Sequence, residues 1–164
     1  MQKDTMNNLF LVDSNVWIPL FDRLDVHAKR ATLIWDKIVK EKLEVVIPDC
    51  VVNETFSAIG RRLNEKGRRM EVKSTFDQMN HVLNPEKILW TYSYVRESFQ
   101  EATNLMREHD GAFNFHDALI ALVAKKEGLK YVLSFDRHFD LFPWIIRISE
   151  ADQLEKSFKT KQIE

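Results

Sequence analysis

One cysteine, four glycines and four prolines among 164 residues close off several protein classes at the outset. With Cys50 as the single thiol, an intrachain disulfide and a multi-cysteine zinc site are both excluded. The fold must stand on its core. Gly60, Gly67, Gly111 and Gly128 form neither a Walker loop nor a dinucleotide fingerprint, which disfavours nucleotide cofactors. No stretch approaches the ~20 consecutive apolar residues of a bilayer span, and residues 1–8 are polar with no apolar signal core, so a cytoplasmic protein without membrane contact is expected. Neither sign of charge dominates. The 24 Lys plus Arg against 25 Asp plus Glu give a formal net charge of −1, so attraction to nucleic acid has to be local.

What is present is a 45% apolar chain in which short apolar runs alternate with longer segments of helical period. That alternation predicts an α/β protein. Leu9-Phe10-Leu11-Val12 reads as a buried parallel strand ending at Asp13-Ser14-Asn15. An amphipathic helix follows through His27, Ala31, Ile34, Trp35 and Ile38, with no element assigned between Asn15 and His27. Val45-Val46-Ile47-Pro48 reads as a second strand, and Val52, Phe56, Ile59 and Leu63 mark a helix closed by Gly67, with Glu54 in its first turn. Val72, Phe76, Met79 and Leu83 complete a helical hairpin before Asn84-Pro85. A short strand at Ile88-Leu89-Trp90 and a helix through Val95, Phe99, Ala102 and Met106 come next. The segment from His116 to Glu127 is apolar on every side and is expected to be a central, buried helix ended by Gly128. Strands at residues 131–134 and 145–148 close the pattern. The expectation is a single domain over residues 1–148, with a mostly parallel central sheet of about four to five strands flanked by helices. Residues 149–164 are read as a polar tail, a frayed helix or disordered.

Ligands of an open parallel sheet sit at the carboxyl ends of its strands, near a topological switch point. Asp13 ends the first strand, Asp136 ends the strand before the last, Glu54 opens a helix after the second strand, and Asp117 begins the apolar helix. Singly, each has a modest explanation as a turn or a helix cap. Together they would converge on one sheet edge, where two carboxylates ~4 Å apart repel by about 4 kcal/mol at an effective dielectric near 20. Such a cluster calls for a divalent cation, and an all-oxygen donor set selects Mg²⁺ or Mn²⁺.

The same residues resemble the PIN-domain ribonucleases, and most of all the VapC-type toxins of prokaryotic toxin–antitoxin pairs. The resemblance runs from Leu9 to about Ile148 through Leu11-Val12-Asp13-Ser14-Asn15, Glu54, Phe115-His116-Asp117-Ala118-Leu119-Ile120-Ala121 and Leu133-Ser134-Phe135-Asp136-Arg137-His138-Phe139-Asp140. It implies metal-dependent hydrolysis of RNA phosphodiester bonds, leaving 5′-phosphate and 3′-OH ends. Asp13, Glu54, Asp117 and Asp136 are then the catalytic and metal-ligating acids around one or two ions, with Asn15 and Ser134 in support. It also implies a small antitoxin partner and a homodimer, for which the helical hairpin of residues 52–83 offers an apolar face.

Candidates for holding RNA are Arg137 and His138, directly after Asp136, and the basic group Arg61, Arg62, Lys66, Arg68 and Arg69. A solvated helix end is the alternative for that basic group. The tryptophans read as core, with Trp17 the one assigned any chance of stacking on a base. Three rival functions stand beside a toxin: a PIN nuclease of RNA processing, a PIN-fold scaffold without catalysis, and a phosphatase using Asp13 as nucleophile. The intact acid set argues against the scaffold. The third needs a second acid close after Asp13 or a suitably placed lysine, and Ser14-Asn15-Val16-Trp17 supplies neither.

Overall fold

The computed structural model describes residues 9–159. Five parallel strands, β1 (Leu9–Val12), β2 (Glu44–Pro48), β3 (Ile88–Leu89), β4 (Tyr131–Leu133) and β5 (Ile146–Ile148), form one sheet in the order β3-β2-β1-β4-β5. β1 pairs with β2 on one side and with β4 on the other. The chain therefore winds outward from β1 in one direction and later in the opposite one, which places the switch point between the carboxyl ends of β1 and β4. Seven helices flank the sheet: α1 (Ser14–Phe21), α2 (Ala28–Lys40), α3 (Asp49–Glu65), α4 (Val72–Val82), α5 (Tyr92–Glu108), α6 (Phe115–Glu127) and α7 (Ala151–Lys159).

The strongest sequence signals became the innermost elements. Phe10, Leu11 and Val12 of β1 are buried, as is every residue of α6 from Asp117 to Ala124. Gly128 ends α6 in the left-handed region (φ 68°), where a Cβ would be strained, and so turns the chain into β4.

Two elements differ from the sequence expectation. α1 was not anticipated, because Pro19 lies inside it and its apolar residues have no polar face to reveal a period. The helix tolerates the proline because it ends two residues later, and its burial of Val16, Trp17 and Ile18 offsets the missing backbone donor. The segment after Ser149 is the other. Residues 151–159 form a packed helix, since Leu154 is completely buried and the flank is tied to α2 by Arg30–Glu150 at 2.6 Å and by Lys37–Glu155. Residues 160–164, and the polar residues 1–8, lie outside the described part of the chain. Among the described residues no helix is long and apolar enough to cross a membrane.

Candidate active site

Asp13 is the hinge between β1 and α1. Its backbone N–H donates to the Leu133 carbonyl at 3.0 Å, stitching the carboxyl ends of β1 and β4 together, and its side chain caps α1 by accepting from the Ser14 N–H at 2.7 Å. Its other carboxylate oxygen accepts from the Ser134 hydroxyl at 2.8 Å. Ser134, fully buried just past β4, also accepts from the Asp136 N–H at 3.0 Å and from the Asn15 amide at 2.9 Å, while the Asn15 carbonyl accepts from the Phe135 N–H at 2.9 Å. Asn15 and Ser134 thus lock the two strand ends into one register.

Asp117 stands at the third position of α6 in a reciprocal capping box. The Asn114 side chain accepts from the Asp117 N–H, and the Asp117 carboxylate accepts from the Asn114 N–H, both at 3.0 Å. Asp136 caps the 3₁₀ turn Arg137–Leu141 by accepting from the His138 N–H at 2.9 Å. The His138 ring lies 3.0 Å from the same carboxylate through Nδ1. Donor atoms of Asp117, Asp136 and His138 all fall within 4.8 Å of one another. The capping explanation and the cluster explanation therefore coincide, because three acids sit at helical N-termini whose positive ends partly hold their charge.

Glu54 is exposed on α3, in the second turn rather than the first, because the helix begins at Asp49 right after β2. It is close enough to raise the proton affinity of both Asp13 and Asp117. Burial pushes the Asp13 carboxyl up to about 7, Asp117 and Glu54 add to the rise, and the Ser134 and Ser14 donors only partly oppose it. Burial likewise raises Asp117 above the ordinary carboxylate range, with Asp136 and Glu54 adding and the Asn114 N–H and His138 opposing. Among the described residues no lysine or arginine pairs with any of these four acids. A mainly oxygen donor set, electrostatically frustrated and without a lysine or arginine partner among the described residues, fits a hard divalent ion, and the His138 imidazole beside it is compatible.

Some expected residues lie elsewhere. Arg62 pairs with Asp25 at 2.5 Å and Asp22 at 3.7 Å, and Arg68 pairs with the buried Asp22 at 2.6 Å and with Glu71 through two bonds of 2.9 Å. Arg69 donates to the Asn64 side chain. Arg62 and Arg68 clamp the turn after α1 onto the far end of α3, and Arg61 and Lys66 stay exposed beside them. Arg137 is exposed at the acidic edge itself. Trp17 is wholly buried, packed on Phe21 and Trp35, so it has no free face for a base. Cys50 is mostly buried, and its thiol is pushed up to about 12 by burial, which leaves it inert.

Several supporting groups escaped the sequence reading. Asn114, three positions before Asp117, carried a capping-box signal that was legible. Arg30 lies over the Phe135 ring at 4.4 Å, and Arg147 donates to the Ser134 carbonyl at 3.2 Å, so both brace the segment between Ser134 and Asp136. Neither has a sequence signature, since their partners lie more than ten residues away.

The PIN domain family profile matches residues 10–145. The chain belongs to the PIN domain family. The match takes in Asp13, Glu54, Asp117 and Asp136, and it begins and ends within the sheet-bearing part of the chain. No curated protein matches the chain in sequence. Among solved structures, this PIN domain is similar to VapC20 of Mycobacterium tuberculosis, described as a sarcin–ricin loop-cleaving toxin, at 18% identity over 83% of this chain and 96% of that one (TM-score 0.60). It is also similar to a chain of VapBC2 from Rickettsia felis, whose complex is bound to a fragment of promoter DNA, at 13% identity over 85% and 97% (TM-score 0.61). A third likeness is PAE2754 from Pyrobaculum aerophilum, at 20% identity over 93% and 90% (TM-score 0.59). At these identities the likeness is one of fold, and the chain spans nearly the full length of each neighbour.

Proposed function

We propose that this PIN domain is a divalent-metal-dependent endoribonuclease, the toxin of a toxin–antitoxin pair that acts in the cytoplasm and is silenced by a small antitoxin. What supports the reading is the electrostatic coupling of Asp13, Glu54, Asp117 and Asp136 at the carboxyl edge of the sheet, two of them with raised proton affinity and, among the described residues, none paired with a lysine or arginine. A scaffold gains nothing from such repulsion. Similarity to VapC20, described as a sarcin–ricin loop-cleaving toxin, supports the substrate class. A homodimer belongs to the same reading.

In this mechanism Asp13, Asp117 and Asp136 would hold Mg²⁺ or Mn²⁺, with Glu54 at the exposed rim and His138 as an added donor. Such an ion, when bound, would supply Lewis acidity for activating water near neutral pH and for offsetting charge on the phosphate. The protein's own part is positional. Ser134 holds Asp13 through its hydroxyl, and Asn15 fixes Ser134, so the Asp13 carboxylate cannot rotate away from the cluster. The Asn114 box does the same for Asp117. Arg137 is placed to meet a phosphate of the strand.

The test is cleavage of a structured RNA pool by the purified protein with Mg²⁺ or Mn²⁺ and with EDTA. Cleavage that needs the ion and leaves 5′-phosphate ends is the expected result; metal-independent cutting or 2′,3′-cyclic phosphate ends would refute the mechanism. Ser134→Ala keeps every acid but frees Asp13 to rotate, so activity is expected to drop about 10- to 100-fold, the usual cost of losing a group that orients a metal ligand. Unchanged activity at saturating metal would remove Ser134 from the mechanism.

A further inference from the structure

On the same carboxyl edge as the acids lies a cavity of about 400 Å³ that the acid chemistry leaves unused. Its walls include Trp90 and Tyr92 just past β3, Asp49 and Asn53 of α3, and Phe115 and His116 of α6. Asn53 and His116 immediately precede Glu54 and Asp117, so α3 and α6 each carry one residue of the cavity wall next to one acid of the cluster. No lysine or arginine lines it, so it is not built for a phosphate.

Its aromatic wall is the distinctive part. The Trp90 and Tyr92 rings lie within 12° of parallel, with centroids 6.5 Å apart. They are 57% and 75% exposed, although the sequence pattern placed Trp90 in the core. Two flat, nearly parallel π-faces open to water suit a planar ring. Asp49 adds polarity: one carboxylate oxygen accepts from the Thr91 N–H at 2.9 Å and the Thr91 hydroxyl at 2.5 Å, while the other carries no hydrogen bond among the described residues. That second oxygen accepts only from a donor. Ile88 of the edge strand β3 and the first turns of α3, α5 and α6 complete the walls.

We propose that this cavity is the nucleobase subsite of the nuclease, in which an unpaired base next to the scissile phosphate stacks on Trp90 and Tyr92 and donates an N–H to Asp49. The proposal rests on the endoribonuclease reading and deepens it, since it names single-stranded RNA, with a base free to leave its neighbours, as the substrate. Stacking supplies affinity without cations, which suits a surface already crowded with carboxylates.

The experiment has two arms. In the first, kcat/KM on a single-stranded oligoribonucleotide is compared for wild type, Trp90→Ala and Trp90→Phe. The alanine variant is expected to lose about 5- to 100-fold, mostly through KM, and the phenylalanine variant to recover most of it because a ring remains. In the second, intrinsic fluorescence of Asp117→Asn protein is titrated in Mg²⁺ with the same oligonucleotide and with its abasic counterpart. Quenching by the base-bearing strand, absent with the abasic one and absent in Asp117→Asn/Trp90→Ala, supports the subsite. Equal quenching by both strands, or none, overturns it. If wild type cleaves RNA while both arms show no dependence on Trp90, the subsite is wrong and the nuclease stands, and the cavity passes to a protein occupant. If wild type cleaves no RNA while base-dependent quenching persists, the nuclease reading falls and the base site stands.

Discussion

Asp117→Asn is expected to abolish metal-dependent cleavage, with a loss of at least about 100-fold, while leaving the fold intact. The two consequences come from different atoms of one side chain. An asparagine carbonyl can still accept from the Asn114 N–H, and the Asp117 backbone N–H still donates to Asn114, so the capping box and the start of α6 survive. The negative charge does not. It is the charge that attracts a divalent ion, and losing a direct donor should exceed the 10- to 100-fold typical of losing an orienting group. Isothermal titration with Mn²⁺ and circular dichroism separate the effects: weakened ion binding with unchanged helical content is expected. Full activity in this variant would take Asp117 out of the chemistry and leave its raised proton affinity a by-product of burial.

Asp13, Asp136 and Asp117 were legible as candidates because each stands at a punctuation point of the chain: after β1, after β4, and at the start of a helix apolar all round, whereas Glu54 lies inside α3. Those signals are local. What the structure adds is mostly non-local, as with Arg30 and Arg147 bracing residues far along the chain. The basic run Arg61 to Arg69 shows the opposite failure, since a charge pattern says nothing about partners, and Asp22 and Asp25 across a tertiary contact occupy two of its arginines. Trp90 was misread for a related reason. It follows a two-residue edge strand, too short to carry an alternation that would have shown its ring facing water. α1 was lost where local rules conflict with packing, because a proline argued against it; for α7 a frayed helix was one of two alternatives, and what the polar sequence concealed was its packing through one deeply buried leucine.

The same burial that suits Asp13 to hold an ion makes it a liability without one. Its carboxyl titrates at about 7 in the folded chain, against an ordinary value of 3.8. A raised acid is harmless while both states are protonated, below about pH 4. As pH climbs past 3.8 the unfolded chain ionises freely and the folded chain does not, so stability is lost until the folded group also ionises near 7. At 1.36 kcal/mol per unit the full loss is at most about 4 kcal/mol. Asp13→Asn keeps one acceptor, for the Ser14 N–H, turns its amide N–H toward the Ser134 hydroxyl oxygen, and has no charge to bury. In EDTA the variant should therefore match wild type near pH 4 and melt several degrees higher by pH 8, at about 2–4 °C per kcal/mol for a chain of this size. With saturating Mg²⁺ the order should narrow or reverse, because the ion stabilises only the wild-type site. Melting curves at pH 4, 6 and 8, with and without the ion, decide the matter. Identical pH profiles for both proteins in EDTA would mean that Asp13 is solvated well enough to ionise as an ordinary carboxylate, and the frustration ascribed to the cluster would rest on Asp117 alone.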